Sequence, residues 1–232
     1  INDFVKGFQT LLNPTGVATF ENPHLLNLIN ENQFDTVYHE HYSYLSVTSV
    51  NKIFASNGLT LFDVEEIPTH GGSLRYFAQN SQTGIYPISK NVKTILNKEK
   101  KYGINKVEFY KDFQHRAEKI KLNLLSFLID QKDKGKKVIA YGAAAKGNTL
   151  LNYCGIKSNL LEYIVDKNPS KQNMFTPGTR IPIYNIDKIK IDKPDFLLIL
   201  PWNLKNEITS ELSFIREFGG KFVISIPELI IY

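Results

Sequence analysis

From Val138 to Ser225 the chain alternates short apolar runs with helix-forming stretches, and this alternation constrains the fold more than any other feature. Strands are expected over Val138 to Tyr141, Leu161 to Val165, Phe196 to Leu200 and Lys221 to Ser225, with helices over Thr149 to Tyr153 and Asn206 to Phe218. Strands separated in this way by helices pair in parallel, with the helices laid over both faces of the sheet. The pattern therefore predicts an α/β fold, with a doubly wound, mainly parallel Rossmann-like domain over residues 135–232.

The first half reads differently. Asp3 to Leu12 has Phe4 and Phe8 at helical spacing and is stopped by the turn Asn13-Pro14-Thr15-Gly16. A strand over Val17 to Phe20, a short helix over Leu25 to Asn30 and a helix over Thr48 to Asn57 closed by Gly58 come next. Leu59 to Glu65 and Ser73 to Ala78 then form an antiparallel pair, joined by a glycine-bearing loop too long for a two-residue hairpin. From Ser89 to Lys134 the period is helical, with Val107, Tyr110, Phe113, Ala117, Ile120, Leu124 and Phe127 recurring every three or four residues. The expected organisation is a first domain over 1–85, a helical connector over 86–134 and the Rossmann-like domain over 135–232.

Composition narrows the function classes. With 232 residues, 42% hydrophobic and 22% charged, the chain can bury sizeable cores. The single cysteine, Cys154, excludes an internal disulfide and suits a reducing compartment, so a cytoplasmic location is the default expectation. No apolar run is long enough to span a bilayer, and Ile1 to Thr10 lacks the order of a signal peptide, so no membrane association is expected. The net charge of +5 comes from lysines scattered through helices such as Lys90 to Lys101 rather than interleaved with aromatics, which argues against nucleic acid as a partner. The chain opens on Ile1 and its one methionine is Met174, which reads as part of a larger polypeptide.

Three segments carry chemistry. Tyr38-His39-Glu40-His41 combines a base that titrates near neutral pH, a phenol able to donate to a developing oxyanion and a carboxylate to orient the pair. That set suits removal of a proton beside a carbonyl, with a metal site and a structural polar cluster as the alternatives. If the segment is extended, His39 and His41 share one face and Glu40 the other; no further histidine or cysteine stands at ligand spacing, so no metal is expected. His70-Gly71-Gly72-Ser73-Leu74-Arg75 brings backbone, Ser73 and Arg75 toward an anion or carbonyl, unless it is only a wide turn. Gly142-Ala143-Ala144-Ala145-Lys146-Gly147-Asn148-Thr149 lies between a strand and a helix, where amides favour a phosphate. Asn148 occupies the place of a Walker lysine and Ala144 that of the middle glycine of a dinucleotide fingerprint, so the turn matches neither standard motif. Asp166 stands where such folds place a ribose-binding acid, and Trp202 follows a strand end, where it either stacks on a base or packs.

Taken together, the segment Phe34 to Leu45, the segment His70 to Arg75 and the segment Tyr141 to Asn148 resemble the signature segments of the S-adenosylmethionine-dependent sugar-nucleotide C-methyltransferases. The match in order and spacing spans nearly the whole chain. The resemblance implies methyl transfer from S-adenosylmethionine to a carbon next to the ketone of a nucleoside-diphospho-4-keto-6-deoxysugar. It also implies that residues 1–85 are the closing half of a class I methyltransferase domain, whose early strands and donor-binding glycine loop are missing, as is the family's N-terminal zinc site. By resemblance His41 is the general base with Tyr38 and Glu40 beside it, and Gly142, Ala143, Ala144, Lys146, Gly147 and Asn148 line the sugar-nucleotide site; Ser73, Arg75, Asp166 and Trp202 join them as candidate binding residues from the reading of their own segments. The competing readings are a nicotinamide-dependent oxidoreductase and a non-catalytic sugar-nucleotide-binding fragment. Oligomeric state is left open.

Overall fold

A computed structural model describes residues 1–232 and divides them into two units, Ile1–Asn30 with Tyr42–Asp112 and Glu31–His41 with Phe113–Tyr232. The first unit contains α1 (Asn2–Leu11), β1 (Val17–Pro23), α2 (Leu25–Asn30), α3 (Val47–Ser56), β2 (Leu59–Ile67), β3 (Ser73–Asn80) and α4 (Lys90–Tyr102). Its sheet has the order β1-β3-β2, both pairs antiparallel, so the last strand lies between the other two. Leu59, Leu61 and Val64 of β2 are all buried, which a strict two-residue period forbids. A register irregularity between Leu61 and Asp63 absorbs the extra residue and returns Val64 to the core face. Leu74, Tyr76 and Ala78 of β3 keep the regular alternation and complete the apolar face.

Helix α3 begins with a reciprocal capping box between Ser46 and Ser49, and its remaining donors are met from α4. The fully buried Glu99 accepts from the Val47 and Thr48 amides at 2.7 and 2.8 Å and from the Thr48 hydroxyl at 2.5 Å. A carboxylate buried at a helix N-terminus is offset by those donors and by the helix dipole. His24 lies beside it, with Nε2 3.9 Å from Glu99 Oε1, and burial holds its pKa down at about 4 against the pull of Glu66.

The second unit contains α5 (Phe113–Asp133), β4 (Val138–Tyr141), α6 (Ala145–Cys154), β5 (Ile164–Val165), β6 (Ile183–Tyr184), α7 (Lys188–Asp192), β7 (Phe196–Ile199), α8 (Lys205–Glu211), β8 (Lys221–Ile224) and β9 (Ile230–Ile231). Its six-strand sheet has the order β6-β5-β4-β7-β8-β9 and is parallel except for the β8-β9 edge. This is the expected α/β architecture with a doubly wound, mainly parallel sheet. After β4 the chain adds strands on one side, then returns past it to start β7, so the topological switch point lies between the carboxyl ends of β4 and β7. Ligand crevices in such sheets open there. No helix of either unit is long and apolar enough to cross a membrane.

Several boundaries differ from the periodicity. The stretch 86–134 is two helices: α4 packs on β2 and α3 in the first unit, whereas α5 packs on β4 and α6 in the second. Gly103, at φ +75°, ends α4 in a left-handed cap, and Val107 falls in a 3-10 turn where it is exposed. Helix α6 begins at Ala145, four residues before the expected start, so much of the glycine turn is the helix's first turn. The helix expected over Asn206 to Phe218 is α8 followed by a 3-10 turn over Ser213–Phe218.

Candidate active site

The second unit begins with a segment borrowed from far upstream. Phe34–Thr36 forms a 3-10 turn that packs on α6. Phe34 is buried against Tyr153, ring centroids 4.9 Å apart, and Asp35 is buried with Oδ2 accepting the Trp202 Nε1–H at 2.8 Å. Trp202 sits just beyond β7, so this hydrogen bond fastens the segment over the switch point. Lys146, also buried, places its ammonium 4.6 Å from the Trp202 ring centre and donates to Asn203 Oδ1 at 3.2 Å. Burial raises the Asp35 carboxyl to about 7 even though Trp202 and Lys146 favour its charged form, and burial lowers Lys146 even though Asp35 opposes that. Desolvation outweighs attraction on both partners.

The residues after this turn are not extended. The His41 amide donates to the Tyr38 carbonyl at 3.0 Å, and the resulting turn brings the two rings to a 4.2 Å centroid separation at 35°. The alternation that would have set His39 and His41 on one face is therefore replaced by a turn that joins Tyr38 to His41. His41 Nδ1 lies 2.8 Å from the Thr36 carbonyl oxygen. A carbonyl only accepts, so Nδ1 carries the proton and a neutral ring holds its lone pair on Nε2. His39 and Glu40 are exposed.

Beside the first turn of α6 opens a cavity of about 350 Å³. Tyr38 and His39 line it from the upstream segment, Ala143 and Ala144 from the β4–α6 connection, Asn148 from α6, and Lys171 and Phe175 from the loop before β6. No side-chain hydrogen bond caps α6 at Ala144, the residue from which this cavity's wall continues into the helix. Its size lies within the range of small-molecule sites.

The residues expected to hold a sugar nucleotide separate into three groups. Ala143, Ala144 and Asn148 line the cavity. Gly142, Lys146, Gly147 and Trp202 are turned to the protein instead: a Cβ on Gly142 would stand 2.6 Å from Pro201 Cδ, and one on Gly147 would stand 2.7 Å from Leu200 Cβ. At both positions the absence of a Cβ permits close packing against Pro201 and Leu200. Asp166 is likewise occupied, its carboxylate accepting the Ala143 and Asn168 amides, each at 2.8 Å, with Lys171 Nζ 3.5 Å away. It shapes the turn that a ribose-binding role would have left open. Ser73 and Arg75 lie in the first unit, where the Ser73 hydroxyl donates to the Thr69 carbonyl at 3.1 Å and Arg75 pairs with Glu21 at 3.2 Å and Glu65 at 3.9 Å across both neighbouring strands. Asp35 lies in the Phe34 to Leu45 segment that carries the family resemblance, but nothing in the sequence singled it out there as a functional residue.

Residues 68–227 match the family model described as the C-methyltransferase C-terminal domain. The chain belongs to this C-methyltransferase family. It is also 35% identical over 228 residues to the C-methyltransferase NovU of Streptomyces niveus, a match covering 98% of this chain and 54% of that protein. The chain thus spans about half the length of this C-methyltransferase relative. The family match begins at Pro68, after the Tyr38 to His41 turn, whereas the similarity to NovU runs through nearly the whole chain.

Proposed function

We propose that the protein takes part in methylation of a carbon next to the ketone of a nucleoside-diphospho-4-keto-6-deoxysugar, with His41 as the base that removes the proton. The methyl group comes from S-adenosylmethionine, the usual donor of methyltransferases. One observation carries the assignment: the Thr36 carbonyl fixes the Nδ1–H tautomer of His41, which leaves Nε2 as the proton-accepting atom, with the Tyr38 ring tilted against it at 4.2 Å. Membership of the C-methyltransferase family supports it.

In this reading the sugar nucleotide enters the cavity at α6, where first-turn amides and Asn148 receive its diphosphate. Nε2 of His41 takes the proton from the carbon, and the electron pair moves toward the ketone oxygen. The Tyr38 hydroxyl donates to that oxygen as it becomes an enolate, and Glu40 adds a carboxylate beside the imidazolium that forms. Residues 1–85 serve as the closing part of a methyltransferase domain and residues 135–232 as the sugar-nucleotide domain. The one glycine-bearing strand-to-helix turn has Pro201 and Leu200 pressed against both glycine positions, which leaves no open cradle for the methyl donor. No residue of this chain is therefore assigned to the donor.

Proton removal is testable without the donor. The protein is incubated in deuterium oxide with a nucleoside-diphospho-4-keto-6-deoxysugar, and label at the carbon beside the ketone is followed by NMR. His41→Asn should slow exchange by about 10²–10⁴-fold and Tyr38→Phe by less, while His39→Ala changes it little. Exchange that survives His41→Asn unchanged but is lost in His39→Ala would move the base to the other histidine.

A further inference from the structure

Asp35, Trp202 and Lys146 are buried, polar and unused by the mechanism, and together they hold one end of the turn that carries His41. Asp35 precedes Thr36, whose hydroxyl donates to the Gln33 carbonyl at 2.7 Å and whose carbonyl receives the His41 Nδ1–H at 2.8 Å. Movement of Asp35 is therefore transmitted through one peptide unit to the atom that sets the histidine tautomer. On its other side Asp35 is held by the only tryptophan in the chain, located past the end of β7, and that tryptophan's ring is covered by the Lys146 ammonium from the first turn of α6. Both anchors flank the switch point.

We propose that Asp35 is a positioning residue for proton abstraction: through Trp202, backed by Lys146, it locks the 34–36 turn so that the Thr36 carbonyl holds His41 in its Nδ1–H form. The proposal rests on His41 being the base, but its structural half does not. A buried hydrogen-bonded network with two ionisable members would be a costly way to pack a turn, because apolar side chains of the same shape fill such a space at no desolvation cost. The geometry gives the network a task that apolar packing would not perform: it fixes one carbonyl to within the tolerance a proton transfer requires. Lys146 and Trp202 accordingly act on the base from behind rather than on a phosphate or a nucleobase.

The test separates position from chemistry. Long-range proton–nitrogen NMR of the chain, with histidine labelled in the ring nitrogens, reads the His41 tautomer directly. Wild type should show protonated Nδ1. Asp35→Ala should give a mixture of tautomers and lower exchange of the substrate proton by up to about 10²-fold with little change in substrate affinity. Asp35→Asn, which keeps an acceptor for the Trp202 N–H, should restore most of both. If Asp35→Ala fails to fold, Trp202→Phe removes the same hydrogen bond, keeps a ring under Lys146, and should shift the tautomer in the same direction. An unchanged His41 tautomer in whichever of these two variants folds overturns the proposal. A shifted tautomer with undiminished exchange leaves the network as a device for His41 but removes His41 as the base, so the two failures are distinct.

Discussion

Replacing Gly142 by alanine isolates the packing role that the structure gives the β4–α6 turn. Gly142 has φ +91°, and a Cβ there would lie 2.6 Å from Pro201 Cδ and 2.8 Å from Pro201 Cγ. Carbon atoms in contact prefer about 3.5–4.0 Å, so the overlap is close to 1 Å. The proline ring cannot rotate away, and the two strand ends must part. Left-handed strain on a non-glycine residue costs about 1–3 kcal/mol and overpacking a further 1–3, for a total of about 2–6 kcal/mol. Gly135 supplies the control, because it has φ +67° in the same unit with nothing within 4 Å of its Cβ position, so Gly135→Ala pays the dihedral term alone, about 1–2 kcal/mol. Trp202 is the only tryptophan and belongs to this unit, so its fluorescence during urea unfolding reports both variants on one scale. Gly142→Ala should lose at least about 1 kcal/mol more than Gly135→Ala. Equal losses would refute the close approach of Pro201, and a change in sugar-nucleotide affinity without a loss of stability would return Gly142 to the ligand.

In the first unit, Glu99→Gln replaces an acceptor for two amides and a hydroxyl with a group that carries its own donors, and should cost about 1–3 kcal/mol, measured by hydrogen exchange in β2 and β3. The two units should respond to pH in opposite directions. His24, held at about 4 against an ordinary 6.5, gives the first unit stability that is complete above pH 6.5 and declines by about 3 kcal/mol as pH falls through 4, because the unfolded chain binds the proton first. Asp35, raised from 3.8 to about 7, contributes stability to the second unit that is present below pH 3.8 and lost as pH rises through 7. Amide exchange read separately in β3 and β7 between pH 4 and 6.5 checks both signs, and parallel trends would refute them. Cys154 is buried with its thiol pushed up to about 12, so it should resist thiol reagents in the folded protein and react fully in denaturant.

What the sequence disclosed follows the length scale of each interaction. Strand and helix alternation after Val138 is a local pattern repeated several times, so β4, β7 and β8 and the parallel sheet were legible. The two-residue strands β5 and β6 carry too little pattern to be delimited, and β6 and β9 gave no signal at all. The chemistry of Tyr38 and His41 was legible from residue type, but their meeting depends on one backbone hydrogen bond between His41 and Tyr38 that no periodicity encodes. Gly142, Gly147, Lys146, Asp166 and Trp202 were singled out as chemistry-bearing or small residues at strand ends. Their contacts are set by the opposite wall. Pro201 and Leu200 fill the glycine positions, the turn's own amides take Asp166, and Asp35 claims Trp202 from 167 residues away in sequence. That last contact joins a turn placed before most of the first unit to a sheet completed after it. The upstream segment is thereby held at the switch point, where parallel strand ends and the start of α6 converge, by a side-chain hydrogen bond between residues 167 positions apart in sequence.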